Sequence, residues 1–533
     1  NLADQSGFPP PSITPASYVE ATDSTVSDWR VDIDSGYYRI TISQTGARKM
    51  FPDSYPWTTA DWKFNSIYLD TWQDLFNPER KIKIIFHLLG YPKWLMAPED
   101  TVPMGPLSGW LLGDTKLPVF ESDTNLGLIR YSELITQFCN HFDSMGVDFA
   151  MTIMAEPNLK KHWTGTWEDA NRYYEAFVNG VDASTGGTNI RVGGLVWAAG
   201  AQAGVASIDT IIAWASYWHD FCHAHNVRHD FICYHHYWHV PDRFDTVAIA
   251  FEGAFPGHEF WITEWNYKYR KLIQADEYEQ WVAGMSGATG NLEFVQNARE
   301  HPSHPVMSFY RVIGRFRDYG LCHWRDSSNW DYTASGHAFK WLASFEDMEL
   351  EIGNSSLSVD ARASSGNDNI KALLWNHNSP TDTIHLTIPL DSLNSYGYEI
   401  WKMDDDSVVA SLYYEINLDS LYLDSVVTYD PVIIYLPVPY PIERGYGGFE
   451  DFIREVVIDT NEIVYVSIRE ILCNKGDVNG DGEVNVLDVV MTVNIILELY
   501  EPTPEEACAA DCTEDGEIDV LDVVCIVDLI LGI

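Results

Sequence analysis

Two glutamates follow short segments that have the character of buried strands. Glu156 comes after the uncharged segment 149–153, and Pro157 behind it prevents a strand from continuing. Glu264 comes after the segment 259–263, in a distant part of the chain. Cleavage of a glycosidic bond needs one acid that protonates the leaving oxygen and one carboxylate that attacks the anomeric carbon. We therefore expect Glu156 and Glu264 to act as such a pair, the alternative being two unrelated surface glutamates.

The segments around this pair alternate between short apolar runs and helical patterns, which predicts a parallel α/β architecture. Thr166 with Asp169 has the pattern of a capping box, and Ser207 precedes another helical run. Eight strands over about 300 residues fit a (β/α)8 TIM barrel, whose active site lies at the carboxyl ends of its strands. The predicted strands are 37–43, 62–64, 81–89, 149–154, 190–197, 230–234, 259–263 and 321–324. Glu156 and Glu264 then follow the fourth and the seventh.

Length and charge limit the classes to which the protein can belong. With 533 residues, about three domains are expected. The net charge of −45 repels phosphate and argues against nonspecific nucleic-acid binding. No apolar run approaches the ~20 residues of a membrane span, and no leader is visible, so we expect any signal peptide to have been removed. These properties suit a secreted, extracellular protein, including one attached to a cell surface or a complex.

The pattern of apolar and polar residues changes along the chain. After Trp341, alternating β segments separated by turns predict a β-sandwich. We expect the barrel to cover residues 37–345 and the sandwich residues 346–439. The N-terminal segment 1–36 could pack on the sandwich. Residues 440–472 would form a linker or an extra β segment, and residues 473–533 a small all-α domain.

The eight cysteines fall into two groups of four. One group lies close together in the C-terminal domain and consists of Cys473, Cys508, Cys512 and Cys525. This clustering predicts one or two disulfides in a small exported domain and leaves their pairing open. The scattered group, which we expect to be buried thiols, is Cys139, Cys222, Cys233 and Cys322.

The C-terminal domain contains a loop pattern that occurs twice, first from Gly476 and again from Ala510. Oxygen-bearing side chains recur at loop positions 1, 3, 5 and 12, glycine stands at position 6, and position 7 offers a carbonyl, which is the spacing that wraps Ca²⁺. Two structural calcium ions are therefore predicted. The ligands of the first loop are Asp477, Asn479, Asp481, Glu483 and Asp488. Those of the second are Asp511, Thr513, Asp515, Glu517 and Asp522.

This double loop resembles a dockerin, the calcium-loaded module that attaches secreted enzymes to a cohesin partner. As in dockerins, the residue that closes each loop is Asp. Many dockerins carry Ser/Thr pairs next to that Asp, whereas this chain has Val486 with Leu487 and Val520 with Leu521. The resemblance implies a cohesin-type scaffold partner. The aliphatic pairs predict an apolar contact surface that could bind in two orientations related by a half turn.

The large domain resembles the clan A retaining glycoside hydrolases, most closely family 39, which holds β-xylosidases and α-L-iduronidases. The likeness spans roughly residues 37–341 and rests on the segments IKIIFHLLGYPKWL, AEPNLKKHW, IRVGGLVW, DFICYHHY and WITEWNY. It implies that Glu156 is the acid/base and Glu264 the nucleophile of a double displacement that needs no catalytic cofactor. It also implies that His235 and Tyr237 line the sugar subsite, with the tyrosine bonded to the nucleophile.

Two positions depart from that family. Ala155 stands where clan A almost always has Asn, which bonds the sugar 2-hydroxyl, and Thr41 replaces a His although Arg39 is kept. The first change implies either weak activity or a sugar that differs at this position. The expected substrate contacts are Arg39, Asn158, Lys160, Trp163, His235, Tyr237, Lys268, Trp324 and Arg325.

Cationic residues concentrate in the loops expected at the carboxyl ends of the strands, in a chain with only 33 Lys and Arg. They are Arg48, Lys49, Lys93, Lys160, Lys161, Lys268, Arg270, Lys271 and Arg325. Such a cluster would attract sulfate or carboxylate groups, which predicts an anionic polysaccharide as substrate. The alternatives are solvated loop charges on a neutral-substrate, β-xylosidase-like enzyme, or a non-catalytic carbohydrate-binding barrel.

Seven histidines lie between His219 and His239. A transition-metal site is one interpretation of this density. We instead expect histidines on a helix surface, next to the substrate-lining His235.

Overall fold

The computed structural model describes residues 19–23, 35–42, 50–64, 81–96, 116–159, 162–199, 207–237, 244–266, 284–301, 306–309, 313–314, 322–326, 329–345, 348–353, 356–366, 369–390, 395–416, 429–448, 451–471 and 473–533. The chain divides into two compact units. The first holds residues 1–339 and 409–436, and the second holds residues 340–408 and 437–533. Every helix in the described ranges is too short or too polar for a bilayer crossing.

The first unit is built on an eight-stranded sheet in which the strands follow one another in chain order. Its strands are β1 (Val19–Asp23), β2 (Ser35–Ile42), β3 (Lys81–Leu88), β4 (Phe149–Ala155), β5 (Arg191–Ala198), β6 (Ile232–Tyr237), β7 (Phe260–Asn266) and β8 (Val306–Phe309). Strands β2 to β8 are parallel, and β1 pairs antiparallel with β2. This sheet confirms the predicted parallel α/β class. The sheet also contains β1. This strand belongs to the N-terminal segment 1–36, for which packing on the sandwich was one expectation.

Helices connect these strands and pack their apolar faces against the sheet. They are α1 (Thr124–Ser144), α2 (Trp167–Asp182), α3 (Ile208–His225), α4 (Phe244–Ala254) and α5 (Met285–Glu300), with 3₁₀ turns at Thr59–Asp61 and Lys93–Leu95. A further helix, α6 (Ala334–Ala343), comes after the last strand of the sheet. The predicted capping box of Thr166 and Asp169 is present at the start of α2, and Ser207 caps α3 by accepting from the N–H of Thr210. These helix starts were predictable because a cap is a local interaction.

One predicted strand is wrong, and another lies in a different sheet. Residues 62–64 form no strand: the backbone of Trp62 is extended, with φ −76° and ψ 142°, but in the described part of the chain this segment joins no sheet. The segment near 321–324 is a strand, β10 (Cys322–Asp326), but it pairs with β9 (Ile313–Gly314) and β11 (Asn329–Tyr332) in a separate small sheet. Strand β8 takes its place in the main sheet. A short apolar run does not reveal its pairing partner.

The strands of the second unit are β12 (Met348–Glu349), β13 (Asp360–Gly366), β14 (Asn369–Trp375), β15 (Asp382–Pro389), β16 (Ser395–Met403), β19 (Tyr440–Gly448), β20 (Asp451–Ile458) and β21 (Ile463–Ile471). Six of them form an antiparallel sheet in the order β12-β13-β14-β21-β16-β19, and β15 pairs with β20. Both contribute to one core that includes Leu374, Ile400, Phe452 and Val466, as the predicted sandwich requires. The range 440–472, for which a linker and an extra β segment were open, contains β19 to β21. A further pair consists of β17 (Val408–Ile416) and β18 (Tyr429–Pro437), most of whose residues belong to the first unit.

The C-terminal residues form three short helices: α7 (Val486–Ile496), α8 (Pro504–Ala510) and α9 (Val520–Leu531). Two disulfides join Cys473 to Cys508 and Cys512 to Cys525. The prediction of one or two disulfides is therefore confirmed, and their pairing, which the sequence left open, joins the first cysteine to the second and the third to the fourth. Among the four scattered cysteines, Cys139, Cys222 and Cys233 are buried free thiols as expected, and the side chain of Cys322 lies outside the described residues.

Candidate active site

Strand β7 delivers Glu264 through a break in its regular alternation. Ile262 faces the helices, and two residues later a regular strand would point Glu264 the same way. The ladder between β6 and β7 shifts register at this point, with Tyr234 opposite Ile262 but His235 opposite Glu264. Such a bulge re-aims the residue that follows it. Trp265 now faces the helices and stacks on Phe294 of α5 at 4.8 Å, and Glu264 faces the interior.

Strand β4 also ends irregularly. Its pairing with β5 shifts register twice, and both Met154 and Glu156 have left-handed backbone conformations, with φ of 58° and 51°. A left-handed non-glycine residue costs about 1–3 kcal/mol and is retained where its surroundings hold it. Here the N–H of Glu156 donates to the carbonyl of Val196 at 2.7 Å, which ties the carboxylate-bearing residue to β5.

The two predicted catalytic carboxylates meet at one histidine. Nδ1 of His235 lies 3.2 Å from Oε1 of Glu156 and 3.2 Å from Oε2 of Glu264. The distance between these two oxygens is therefore at most twice that length. The hydroxyl of Tyr237 donates to Oε1 of Glu264, and Nδ1 of His162 lies 3.4 Å from Oε2 of Glu156. The structure thus brings these side chains together around a shared space.

Burial makes this site a region of low dielectric. Glu156 is 7% exposed, and His235 and Tyr237 are almost fully buried. Next to them on β6, burial lowers the pKa of His236 to about 3, so this imidazole stays neutral against Phe294. Interactions between charged groups in such surroundings are stronger than in water.

Buried apolar side chains fill the interior of the sheet below the carboxylates. They are Ile85, Ala150, Val196, Phe231, Cys233 and Trp261. Above them, Nδ1 of His87 lies 2.6 Å from the hydroxyl oxygen of Thr152, and the His87 ring is 6.3 Å from that of His235. Sequence reasoning singled out neither His87 nor His162. Both lie in segments that carry the family resemblance, which was the available signal.

Two predicted substrate residues have structural partners. The amide of Asn158 donates to the carbonyl of Ala198 and accepts from its N–H, both at 3.0 Å, so it fastens the loop after β4 to β5. The ring of Trp163 is buried parallel to that of Tyr173, and its indole N–H donates to the carbonyl of Thr166 at 3.0 Å. These contacts explain both side chains by packing, and their roles in substrate binding stay predictions.

The remaining predicted contacts fall largely outside the described residues. Lys160 and Lys268 lie entirely outside the described residues. For Arg39 on β2 and for Trp324 and Arg325 on β10, the backbone is described and the side chain is not. Of the predicted cationic loop residues, the side chain that the structure describes is that of Lys93, which is exposed in the turn after β3. The cationic cluster as a whole therefore stays a prediction.

The two calcium loops repeat one hydrogen-bond pattern. Asp488 is buried and accepts from the N–H groups of Asn479 and Asn485 at 3.0 and 2.8 Å. Asp522 accepts from those of Thr513 and Asp519 at 2.9 and 2.8 Å in the second loop. The closing Asp therefore holds each loop in the same shape.

The donor set of the first loop fits calcium. Oδ2 of Asp477 accepts from the N–H of Gly482 at 3.0 Å, but among the described residues its buried Oδ1 has no hydrogen-bond partner. A buried carboxylate oxygen without a partner requires a cation or water, and oxygen ligands are those that Ca²⁺ prefers. In the second loop, burial raises the pKa of Asp511, although Lys475 opposes the shift. A bound cation would favour its ionised form.

An aliphatic surface repeats with the loops. Val486, Leu487 and Val490 of α7 are 65%, 59% and 53% exposed, and the equivalent residues of α9 have almost the same exposures, 65%, 56% and 53%. The α9 residues are Val520, Leu521 and Val524. Large apolar side chains exposed in contiguous pairs are typical of a binding surface.

Comparison with known proteins gives two results. Residues 475–531 match the family described as the Dockerin type I domain, so this part of the chain is a dockerin type I domain, a class that binds calcium. No curated protein sequence matches the chain significantly.

The fold of the chain is similar to those of glycoside hydrolases. A glucosidase from Croceicoccus marinus aligns with a TM-score of 0.53 and 13% identity over 84% of this chain and 92% of its own. A monomeric beta-xylosidase from Caulobacter crescentus CB15 aligns with a TM-score of 0.50 and 16% identity over 76% and 85%. A GH39 enzyme from Xanthomonas axonopodis pv. citri aligns with 0.50 and 13% over 76% and 83%. At these identities the similarity shows the fold.

Proposed function

We propose that the protein is a retaining glycoside hydrolase whose dockerin attaches it to a cohesin-type scaffold outside the cell. The observation that carries the catalytic part is the placement of Glu156 and Glu264 at 3.2 Å from one nitrogen of His235. Two carboxylates that have no sequence proximity share one small buried space. A glycoside hydrolase-like fold around that space supports the same activity.

The carboxylate separation supports a retaining mechanism. Retaining enzymes keep their two carboxyl groups about 5–5.5 Å apart, whereas inverting enzymes need about 6.5–9.5 Å to admit a water molecule. The nearest oxygens of Glu156 and Glu264 are separated by at most twice their 3.2 Å distance to His235, which lies below the inverting range. Direct attack by a carboxylate is therefore favoured over attack by an activated water.

In this mechanism Glu264 attacks the anomeric carbon while Glu156 protonates the leaving oxygen, which forms a covalent glycosyl-enzyme. Glu156 then removes a proton from water, which attacks the same carbon and releases the sugar with retained configuration. Tyr237 positions the nucleophile through its hydrogen bond. His235 lies between the carboxylates and fixes their relative orientation.

Chemical rescue tests both the roles and the stereochemistry. Glu264→Ala should lose activity on an activated aryl glycoside, and added azide should form a glycosyl azide of inverted configuration, because azide replaces the nucleophile. Glu156→Ala should instead yield a glycosyl azide of retained configuration from the accumulated intermediate. Full activity in either variant, or an inverted hydrolysis product from the wild type, would refute the assignment.

The substrate that we propose is an anionic polysaccharide, sulfated or containing uronate. The support is the enrichment of Lys and Arg in the loops after the strands of a chain whose net charge is −45. Hydrolysis of sulfated galactans and uronate glycans should exceed that of neutral xylan and arabinan, and should weaken with rising salt. A clear preference for neutral xylosides would favour the β-xylosidase-like alternative.

A non-catalytic carbohydrate-binding barrel is a second candidate, and Ala155 is the observation that favours it. A side chain that bonds the sugar at the reaction centre is absent at this position. A wild-type protein that binds glycans but hydrolyses none, in a broad panel with Glu264→Gln as the blank, would support this second function.

For the dockerin we propose two calcium ions, one in each loop, and a cohesin contact made by the repeated aliphatic surface. Because α7 and α9 present equivalent side chains, either one can lead the contact. Leu487→Asp should leave cohesin binding within a few-fold of wild type, as should Leu521→Asp, whereas the double variant should lose it. If one single variant lost cohesin binding as completely as the double variant, only one orientation would bind.

A further inference from the structure

Four histidine side chains converge on one point of the first unit, away from the carboxylates: His219, His223, His229 and His258. One ring nitrogen from each lies within 4.8 Å of the corresponding nitrogens of the other three. We propose that this four-histidine cluster binds one divalent transition-metal ion, of the type that prefers imidazole ligands, as a structural site.

The spacing of the nitrogens fits tetrahedral coordination. Nε2 of His219 lies 3.2 Å from Nε2 of His223 and 3.4 Å from Nε2 of His258. Nitrogens bound tetrahedrally at the ~2.0–2.1 Å of zinc–histidine bonds lie about 3.3–3.4 Å apart. Two of the distances therefore already have the required value, and the remaining ones need a contraction of at most about 1.5 Å, which rotation of an imidazole ring provides.

Backbone hydrogen bonds set the tautomers that a metal needs. Nδ1 of His258 lies 3.3 Å from the carbonyl of Phe255, and Nδ1 of His229 lies 3.4 Å from that of Val227. A carbonyl only accepts, so each Nδ1 carries the proton in the neutral ring, and each Nε2 has a free lone pair. Donation of the second ring N–H to a backbone carbonyl is the usual support of a metal-bound histidine.

Hydrogen bonds between the four imidazole rings cannot provide a partner for every ring nitrogen of the cluster. A proton on Nε2 of His219 can serve only one of its two neighbours, His223 or His258, and without that proton its contact with the unprotonated Nε2 of His258 joins two lone pairs. In the described part of the chain, Nε2 of His229 is buried and has no hydrogen-bond partner. Lone pairs that face one another without a proton repel, whereas a cation at their centre binds them all.

The position of the cluster indicates a structural role. His219 and His223 are one turn apart on α3, His229 precedes β6, and His258 precedes β7. The cluster therefore lies at the amino ends of these strands, and Glu264 lies near the carboxyl end of β7. In barrels of this type the amino-terminal side serves stability. Four protein ligands also leave no open position for substrate.

The test uses the untagged full-length protein, freed of metal with a chelator and then kept in excess Ca²⁺ so that the dockerin loops are loaded. Zn²⁺ titration should show one tight site and a raised melting temperature. His223→Ala removes an exposed ligand and should weaken that site at least tenfold, since loss of even an indirect supporting group costs about 10- to 100-fold. His225→Ala is the matched control, because His225 lies on the same helix, stacks on Phe221 and stands outside the cluster.

Equal zinc affinity in wild type and His223→Ala would overturn the proposal, as would the absence of a tight site in the wild type. A second measurement needs no variant and is therefore independent of folding. Co²⁺ in the wild type should give the intense visible absorption of a tetrahedral site, and one equivalent of Zn²⁺ should remove it. A weak octahedral spectrum would contradict a four-nitrogen site.

Discussion

Tyr237 offers a sharp test of the catalytic geometry, because one atom can be removed from it. Tyr237 is 2% exposed, and its hydroxyl donates to Oε1 of Glu264. The substitution Tyr237→Phe keeps the ring and deletes this hydrogen bond. Water cannot easily replace the hydroxyl in so buried a position, so the carboxylate loses the interaction without compensation.

The expected cost follows from the charge of the acceptor. A hydrogen bond to an ionised group contributes about 1.5–3 kcal/mol, which corresponds to a rate reduction of about 10- to 150-fold. Glu264 keeps its 3.2 Å contact with His235, so we expect a value near the lower end of this range. The effect should fall on kcat, with KM changed less than about threefold, because the bond orients the nucleophile.

Tyr234→Phe is a matched control on the same strand. Tyr234 is fully buried, faces the helices, and stacks on Phe251 at 4.7 Å. Among the described residues its hydroxyl has no hydrogen-bond partner, so its removal should leave both activity and melting temperature almost unchanged. Steady-state kinetics on an aryl glycoside cleaved by the wild type would compare the two variants. Activity of Tyr237→Phe within twofold of wild type, or an equal loss in Tyr234→Phe, would refute the proposed role.

Three further predictions concern other parts of the molecule. His236 has a pKa of about 3 in the folded protein and 6.5 in the unfolded chain, so the unfolded state binds the proton first as the pH falls. The free energy of unfolding should therefore drop by about 1.4 kcal/mol per pH unit below 6.5, and thermal unfolding of His236→Met should depend less on pH. Loss of the disulfide between Cys512 and Cys525, whose separation is 13 residues, should destabilise α9 by about 3 kcal/mol, seen as faster amide hydrogen exchange there. Ala155→Asn should raise kcat/KM at least about tenfold on ordinary 2-hydroxy glycosides if the missing amide limits the rate, and an unchanged value would indicate a sugar that differs at this position.

The features that could be predicted from the sequence depend on local interactions. All the predicted ligands of a calcium ion lie within one loop, and the caps of α2 and α3 act within one helical turn. The strands that carry the two glutamates were also identified, because β4 is a continuous buried run ended by Pro157. In each case the sequence window contains all the interacting groups.

The features that were missed depend on partners distant in the chain. Residues 62–64 have the composition of a strand and Trp62 is extended, but a strand also needs a pairing partner, which this short window does not contain. Strand β8 was overlooked because its four residues become a strand only through pairing with β7. The convergence of His258 with His219, His223 and His229 is not predictable from the sequence, since no spacing rule joins His258 to the other three.

The bulge in β7 explains why a correct strand assignment does not by itself place the nucleophile. In a regular strand, Ile262 and Glu264 face the same side, and the carboxylate would lie among the apolar side chains of the helices. Burying an ion there without partners would cost several kcal/mol. The register shift next to His235 avoids that cost and turns Glu264 towards Tyr237. A strand irregularity that converts an unfavourable burial into a paired carboxylate is consistent with selection for chemistry at this position.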